Sequence, residues 1–181
     1  MTVILGVDPG TLIMGYALLK VEDKNPSVLE IGVEKMTKLQ SPYEKLKHIF
    51  DSVTALIEKY QPTTLAVEAP FFGKNPQSML KLGRAQGAVI AASLQKGLEI
   101  FEFSPRYIKQ SITGNGNASK EQVAAMLQQM KLIHENANYL DATDALAAAV
   151  CYHLQNRFPI PTNKYSSWDA FLAQNEDRII K

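Results

Sequence analysis

Residues 3–11 read Val-Ile-Leu-Gly-Val-Asp-Pro-Gly-Thr, and the rest of the chain can be organised around them. The β-branched and aliphatic run predicts a strand that is buried on both faces. Asp8-Pro9-Gly10 then ends the strand in a turn and leaves a carboxylate at its carboxyl end, where α/β sheets often carry catalytic groups. The same three residues also form a good turn without any chemistry, so acids elsewhere must decide between a turn and a functional Asp8.

Composition sets the bounds of the interpretation. The chain has 181 residues, 46% hydrophobic and 20% charged, which fits one domain with one sizeable core. We expect a cytoplasmic protein that does not contact a membrane, because no charged leader precedes an apolar segment and no apolar run reaches membrane-spanning length. The single Cys151 cannot form an internal disulfide, which suits a reducing compartment. Cys151 and His153 lie in an apolar helical pattern and are expected to be packing residues.

The charge is distributed unevenly along the chain. A net charge of +1 and a pI near 7.8 differ from the pI above ~9 that is usual for nucleic-acid binders. Residues 70–125 nevertheless carry +4, and the remainder carries −3. This basic middle suits an anionic partner, although a few surface lysines on helices need none.

The pattern of elements predicts an α/β domain. The first strand, residues 14–21 and residues 27–36 are separated by short loops and form an antiparallel meander. Residues 63–67 can return parallel to the first strand after a helical crossover, and residues 98–103 form a fifth strand. Five helices are predicted by capping and periodicity: after Ser41-Pro42, from Asn75-Pro76 to about Lys96, from Ser104-Pro105 to Gly114, after the capping box Ser119 to Gln122, and from near Asn138 onward.

The second predicted helix carries a face of small residues. They are Gly83, Gly87, Ala88, Ala91 and Ala92. Small side chains let another backbone approach closely, and either the chain's own sheet or a second copy of the chain can use that face.

Four acids lie at the ends of predicted strands or at the beginning of a predicted helix. Glu68 ends the fourth strand as Asp8 ends the first, and Asp141 and Asp144 share one face of the last helix. Acids near a helix N-terminus can be explained by the helix dipole, and a glutamate at a strand end is usually solvated. Two like charges on a helix of Ala, Leu and Val, however, repel each other unless a cation lies between them. A joint cluster predicts Mg²⁺, with Mn²⁺ as a substitute, and two such ions can hold a phosphodiester for hydrolysis.

The chain resembles the RuvC family of Holliday-junction resolvases over about residues 3–155. That family has the ribonuclease-H-like fold, here a mixed five-stranded sheet with helices on both faces. The matching segments are Ile4–Thr11 with Gly15-Tyr16, Val67-Glu68, Phe71–Asn75, Leu80–Gly87, Lys109-Gln110, Gly114, Lys120 and Asp141–Ala147.

The resemblance implies a homodimeric, Mg²⁺-dependent endonuclease that nicks two strands symmetrically across a four-way DNA junction. Asp8, Glu68, Asp141 and Asp144 match the family's metal-binding acids, with two ions expected per site, and Lys120 matches a catalytic lysine near the scissile phosphate. Phe71 matches an aromatic residue that packs against unstacked junction bases. The further DNA-facing positions that we expect are Lys74, Asn75, Lys81, Arg84, Arg106 and Lys109. The branch-migration proteins RuvA and RuvB are the partners that the resemblance suggests.

The chain departs from the family pattern in two places, and two other functions are compatible with parts of the sequence. Ala69-Pro70 follows Glu68 where some relatives carry a polar residue and an aliphatic one. The tail 158–181, which we expect to be partly helical, lies outside the nuclease domain 1–157. It has no counterpart in the resemblance. An Asp-x-Gly-Thr turn also opens actin-like ATPases and sugar kinases, but those proteins need two such domains and this chain is too short. A junction-binding protein without catalysis is the other alternative, since catalysis requires geometry as well as residue type.

Overall fold

The computed structural model describes residues 1–23, 25–69, 75–133 and 140–157. The elements, in chain order, are β1 (Thr2–Asp8), β2 (Ile13–Glu22), β3 (Asn25–Lys35), α1 (Pro42–Tyr60), β4 (Thr64–Glu68), α2 (Pro76–Gln95), β5 (Glu99–Phe103), α3 (Pro105–Thr113), α4 (Lys120–Gln129) and α5 (Leu140–Arg157). All the predicted strands and helices are present, with boundaries that differ by one or two residues. The predicted helix start near Asn138 and the tail 158–181 lie outside the described residues.

The sheet is mixed and has the strand order β3-β2-β1-β4-β5. β1, β2 and β3 form the predicted antiparallel meander, while β4 pairs parallel to both β1 and β5. The parallel pairing of β1 and β4 sets Val7 beside Val67. The next residue on each strand is an acid, so Asp8 and Glu68 reach the same edge of the sheet.

Helices cover both faces of the sheet because the strands bury side chains on both sides. Successive β1 residues alternate between two cores: Leu5 packs with α1 and α2, and Ile4 packs with α3, α4 and α5. Both are almost completely buried, which confirms the two-sided strand predicted from the apolar run.

Local sequence explains where the helices begin and end. Ser41 and Ser119 form complete capping boxes with Glu44 and Gln122, and Asn75 accepts hydrogen bonds from two backbone amides at the start of α2. Gly114 ends α3 with a positive φ of 75°, a conformation that glycine adopts without steric cost.

The last helix lies in the interior. Ten of its residues are buried, including Cys151 and His153, which are packing residues as expected. Burial also raises the pKa of the Cys151 thiol to about 11, which makes it a poor nucleophile. Within the described ranges, no helix combines the length and the apolar character needed to cross a membrane.

Candidate active site

The candidate site lies where the carboxyl ends of β1 and β4 meet the first turn of α5. Asp8 and Glu68 are the last residues of their strands, and Asp141 and Asp144 follow Leu140 at the start of the helix. All four side chains are partly buried. The topology thus brings together acids that are up to 136 residues apart in the sequence.

Two glycines allow α5 to approach the sheet closely enough to bring its acids to β1. A Cβ atom at Gly6 would collide with the carbonyl group of Ala145, and one at Gly15 would collide with the carbonyl group of Asp141. Gly15 pairs directly with Asp8 across β1 and β2. The absent side chain at Gly15 therefore fixes the distance between the first turn of α5 and the end of β1.

The close approach gathers three carboxylates. One oxygen from each of Asp8, Asp141 and Asp144 can be chosen so that all three lie within 4.8 Å of one another. Glu68 does not belong to this tight group, but its charge interacts with those of Asp8 and Asp144. The structure thus brings the four predicted acids together as a group of three with Glu68 beside it, and we refer to these four residues as the acidic cluster.

Burial and mutual repulsion raise the pKa values of two of these acids. The pKa of Asp8 rises from 3.8 to about 6, chiefly because burial disfavours the charged form and then because of the charge on Asp144. The pKa of Glu68 rises from 4.5 to about 7, again chiefly through burial and then through Asp8. In the absence of a cation, the folded site therefore resists the full negative charge that four ionised carboxylates would give it.

Lys120, the first residue of α4, partly compensates this charge. Its ammonium group donates a hydrogen bond to Oδ2 of Asp144. Partial burial alone would lower the pKa of Lys120, but this hydrogen bond and the charges of Asp144 and Asp8 outweigh it, and the pKa is raised. The lysine thus stays protonated at the edge of the acidic cluster, which explains a cation at a helix N-terminus that the helix dipole disfavours.

The donor set fits a divalent metal ion. It consists only of carboxylate oxygens, which hard cations such as Mg²⁺, Mn²⁺ and Ca²⁺ prefer, and it lacks the thiolate and imidazole ligands typical of zinc. Three closely spaced carboxylates with one lysine leave an excess of negative charge that a bound cation would neutralise.

Three of the predicted DNA contacts, Lys81, Arg84 and Lys109, can be placed near this site. Lys109 of α3 is half-buried and lies close enough to Glu68 to lower its pKa slightly, and exposed Arg106 packs against Gly116. Lys81 and Arg84 project from the first half of α2 into a cleft that Asp141 also lines. The side-chain oxygen of Asn75 is occupied by the cap of α2. Phe71 and Lys74 lie outside the described residues.

Sequence reasoning overlooked two contributions to the site. Gly6 and Gly15 were recognised only as parts of a motif, although a glycine inside a buried strand is itself a signal of close backbone approach. Lys45, on the first turn of α1, was not singled out, because nothing in its local sequence indicates that it lines the same cleft as Asp141.

Comparison with known proteins places this site in context. The family model described as "Crossover junction endodeoxyribonuclease RuvC" matches residues 4–152. The chain is 50% identical to the protein of that name from Bacteroides fragilis, with 98% of this chain and 95% of the relative covered, and 51% identical to that from Christiangramia forsetii, with 98% and 92% covered. Among solved structures, T. thermophilus RuvC in complex with Holliday junction substrate superposes with a TM-score of 0.80 at 28% identity, covering 87% of this chain and 96% of that chain.

Proposed function

This chain belongs to the RuvC family of crossover junction endodeoxyribonucleases, and we propose that it resolves four-way DNA junctions by hydrolysing one phosphodiester bond in each of two strands of like polarity. The observation that carries the proposal is the group of three carboxylates within 4.8 Å at the carboxyl end of β1. A cluster of this kind suits metal-dependent phosphodiester hydrolysis and needs no side-chain nucleophile.

Asp8, Glu68, Asp141 and Asp144 are the residues that would hold the metal. Mg²⁺, replaceable by Mn²⁺, is the proposed ion, with two per site because four carboxylates offer more ligands than one such ion needs from protein. Bound ions would supply Lewis-acid activation of water and of the scissile phosphate. The protein's own contribution is to fix the four acids on rigid elements, so that little reorganisation is needed during the reaction.

Lys120 is proposed to act beside these acids as a fixed positive charge. Its ammonium group already lies at the cluster through Asp144, and its raised pKa keeps it protonated at neutral pH. A cation in this place stabilises the negative charge that develops on a phosphate during hydrolysis.

DNA binding is assigned to four basic residues of α2 and α3. Lys81, Arg84, Arg106 and Lys109 are proposed to contact phosphates, which gives affinity without sequence preference. Phe71, Lys74 and Asn75 remain candidates from the family motif.

A second copy of the chain is proposed to pack on α2. Leu80, Gly83, Gly87, Ala91 and Leu94 follow helical spacing on one face, and all five are exposed. Of the small-residue face considered from sequence, Ala92 is buried in the chain's own core and Ala88 packs against that core. Gly83, Gly87 and Ala91 are instead exposed, and no described atom lies within 4 Å of a Cβ built at Gly83 or Gly87, which supports their use by a second copy. Two copies would give two sites, as symmetric cleavage of two strands requires. A cytoplasmic location and the partners RuvA and RuvB complete the proposal.

The decisive experiment compares a synthetic four-way junction with a linear duplex of equal length, each incubated with Mg²⁺ or with EDTA, and maps the nicks. We expect paired nicks at symmetric positions, confined to the junction and dependent on Mg²⁺. Equal cutting of the duplex would contradict junction selectivity, and single unpaired nicks would contradict the paired sites. Binding without any nicks would favour the alternative of an inactive junction-binding protein.

A further inference from the structure

A cleft of about 660 Å³ opens directly beside the acidic cluster. Its walls come from the β1–β2 turn at residues 10–13, the start of α1 and the first half of α2, and Asp141 lines it as well. The volume lies within the ~300–1,000 Å³ range typical of clefts that bury a small ligand. It therefore suits a short segment of one strand and not a double helix.

Three cations line the cleft. Lys45 comes from α1, and Lys81 and Arg84 come from α2. Within the part of the chain that the structure describes, none of the three forms an ion pair with a carboxylate. Among the described lining residues, three cations thus stand against one carboxylate, Asp141, and this net positive charge next to a site proposed to act on a phosphodiester is the complement of a polyanionic strand.

The cleft also has an apolar wall. Leu12, Leu46 and Leu82 line it, and Leu12 and Leu82 are 57% and 37% exposed. Exposed leucines that face a cleft rimmed by cations mark a binding surface for an amphiphilic ligand. A nucleic-acid strand whose sugars and bases are not enclosed in a duplex has this character, because anionic phosphates alternate with apolar faces.

We propose that this cleft holds the strand segment immediately next to the scissile phosphate, and that Lys45 binds a phosphate of that segment. This inference rests on the proposed nuclease function and adds to it a path for the strand and a residue on α1. The continuity of the cleft with Asp141 determines the occupant, because a strand whose phosphate lies at the acids must continue through an adjoining space.

The first test compares Lys45→Gln with Lys47→Gln. Lys47 lies on the same helix but pairs with Asp51 and does not line the cleft, so it is a matched control. Junction affinity is measured in EDTA over a series of salt concentrations. We expect Lys45→Gln to make the slope of log K against log[salt] shallower by ~0.7–0.9, the change for one lost phosphate contact. Lys47→Gln should leave the slope unchanged.

The second test locates the contact on the DNA. Junctions carry one neutral methylphosphonate in place of one phosphate, at successive positions on either side of the cleavage point. At one position next to the cleavage point, we expect wild-type affinity to fall about tenfold, because a hydrogen bond between charged groups is lost. Lys45→Gln should show no further loss at that position and a normal response at the others.

The outcomes separate this inference from the proposed function. If the wild-type protein nicks the unmodified junction but Lys45→Gln matches Lys47→Gln in both tests, the cleft does not hold the strand and the inference is wrong. If the wild-type protein neither binds nor nicks the junction, the proposed function itself fails. A response of Lys45→Gln only to methylphosphonates far from the cleavage point would also refute the assignment, since the cleft adjoins Asp141.

Discussion

A cluster of acids at one edge of the sheet and the single acid Glu30 at another place show opposite electrostatics. At the end of β1, Asp8 is crowded by other acids, and burial with the charge of Asp144 raises its pKa to about 6. On the edge strand β3, Glu30 is surrounded by donors. One oxygen accepts a hydrogen bond of 2.9 Å from the Tyr16 hydroxyl, and the other accepts from Tyr60 and, at 2.9 Å, from Lys59.

The donors around Glu30 reverse the direction in which the pKa of a carboxyl group is shifted. Hydrogen bonds from Tyr60 and Lys59 lower the pKa of Glu30 from 4.5 to about 2. At the acidic cluster, by contrast, the described residues supply one cation, Lys120, for the group of three carboxylates. It forms its hydrogen bond with Asp144. The Glu30 group is a satisfied structural network that joins β2, β3 and α1, whereas the carboxylates of the acidic cluster have fewer donors than negative charges. The number of hydrogen-bond donors around a carboxylate therefore decides the direction in which its pKa moves.

Removing the negative charge of Asp8 or that of Glu30 should give the largest difference between the two places, measured as the rate of junction nicking. We expect Asp8→Asn to reduce the rate of junction nicking by at least ~10³-fold while junction binding is retained, because metal capture is weakened and the phosphate contacts are not. Glu30→Gln, the matched change in the other group, should nick at a rate close to that of the wild type. The rates are measured on a labelled junction in Mg²⁺. Normal nicking by Asp8→Asn would falsify the assignment of the acidic cluster.

Stability should respond to the same two substitutions with opposite signs. In EDTA at pH 7.5, we expect Asp8→Asn to raise the free energy of unfolding by up to ~3 kcal/mol, the cost of ionising an acid whose pKa is shifted by about two units. Glu30→Gln should lower it by ~1–3 kcal/mol, because charge-assisted hydrogen bonds are lost. Urea denaturation with and without Mg²⁺ measures both changes. A destabilised Asp8→Asn protein in EDTA would show that repulsion at the cluster is not a net cost.

A smaller, pH-dependent effect should follow from the shifted pKa values. Asp8 has a higher pKa in the folded state than in the unfolded state. Between pH ~4 and ~6, the folded protein therefore keeps a proton on Asp8 that the unfolded chain loses. The free energy of unfolding of the metal-free protein thus falls as the pH rises through this window. Glu68 extends the window to about pH 7. Glu30 has the opposite sign: its stabilisation is present above pH ~4.5 and is lost toward pH ~2.

The stability difference between wild type and Asp8→Asn isolates the contribution of Asp8. We expect it to be largest at pH 7.5 and small at pH 4, where Asp8 is protonated in the folded state and only about half ionised in the unfolded chain. Denaturant titrations in EDTA at pH 4, 5.5 and 7.5 measure it. A difference that is independent of pH would show that packing, and not charge, separates the two proteins.

Much of the fold could be predicted because its determinants are local. The apolar run before Asp8, the caps at Ser41 and Ser119 and the glycine at 114 are short patterns that act on their own neighbours, and they define the strands and helices to within a residue or two. The four acids could be singled out for a similar reason, since each lies at a boundary of a predictable element. The network around Glu30 could not, because its donors lie 14 to 30 residues away and nothing near Glu30 predicts them.

Local sequence is sufficient for the α/β class, the order of the elements, the two-sided burial of β1 and the identity of the acids, because each depends on periodicity, capping or turn chemistry within a few residues. Three relations emerge only from the packed fold: which carboxylates meet, the contact of Lys120 with Asp144, and the cleft that Lys45 shares with Asp141. These relations depend on how closely α5 approaches β1 and β2, and that distance is set by the absent side chains of Gly6 and Gly15. A contact between distant segments becomes definite only when the packed backbones fix the space between them.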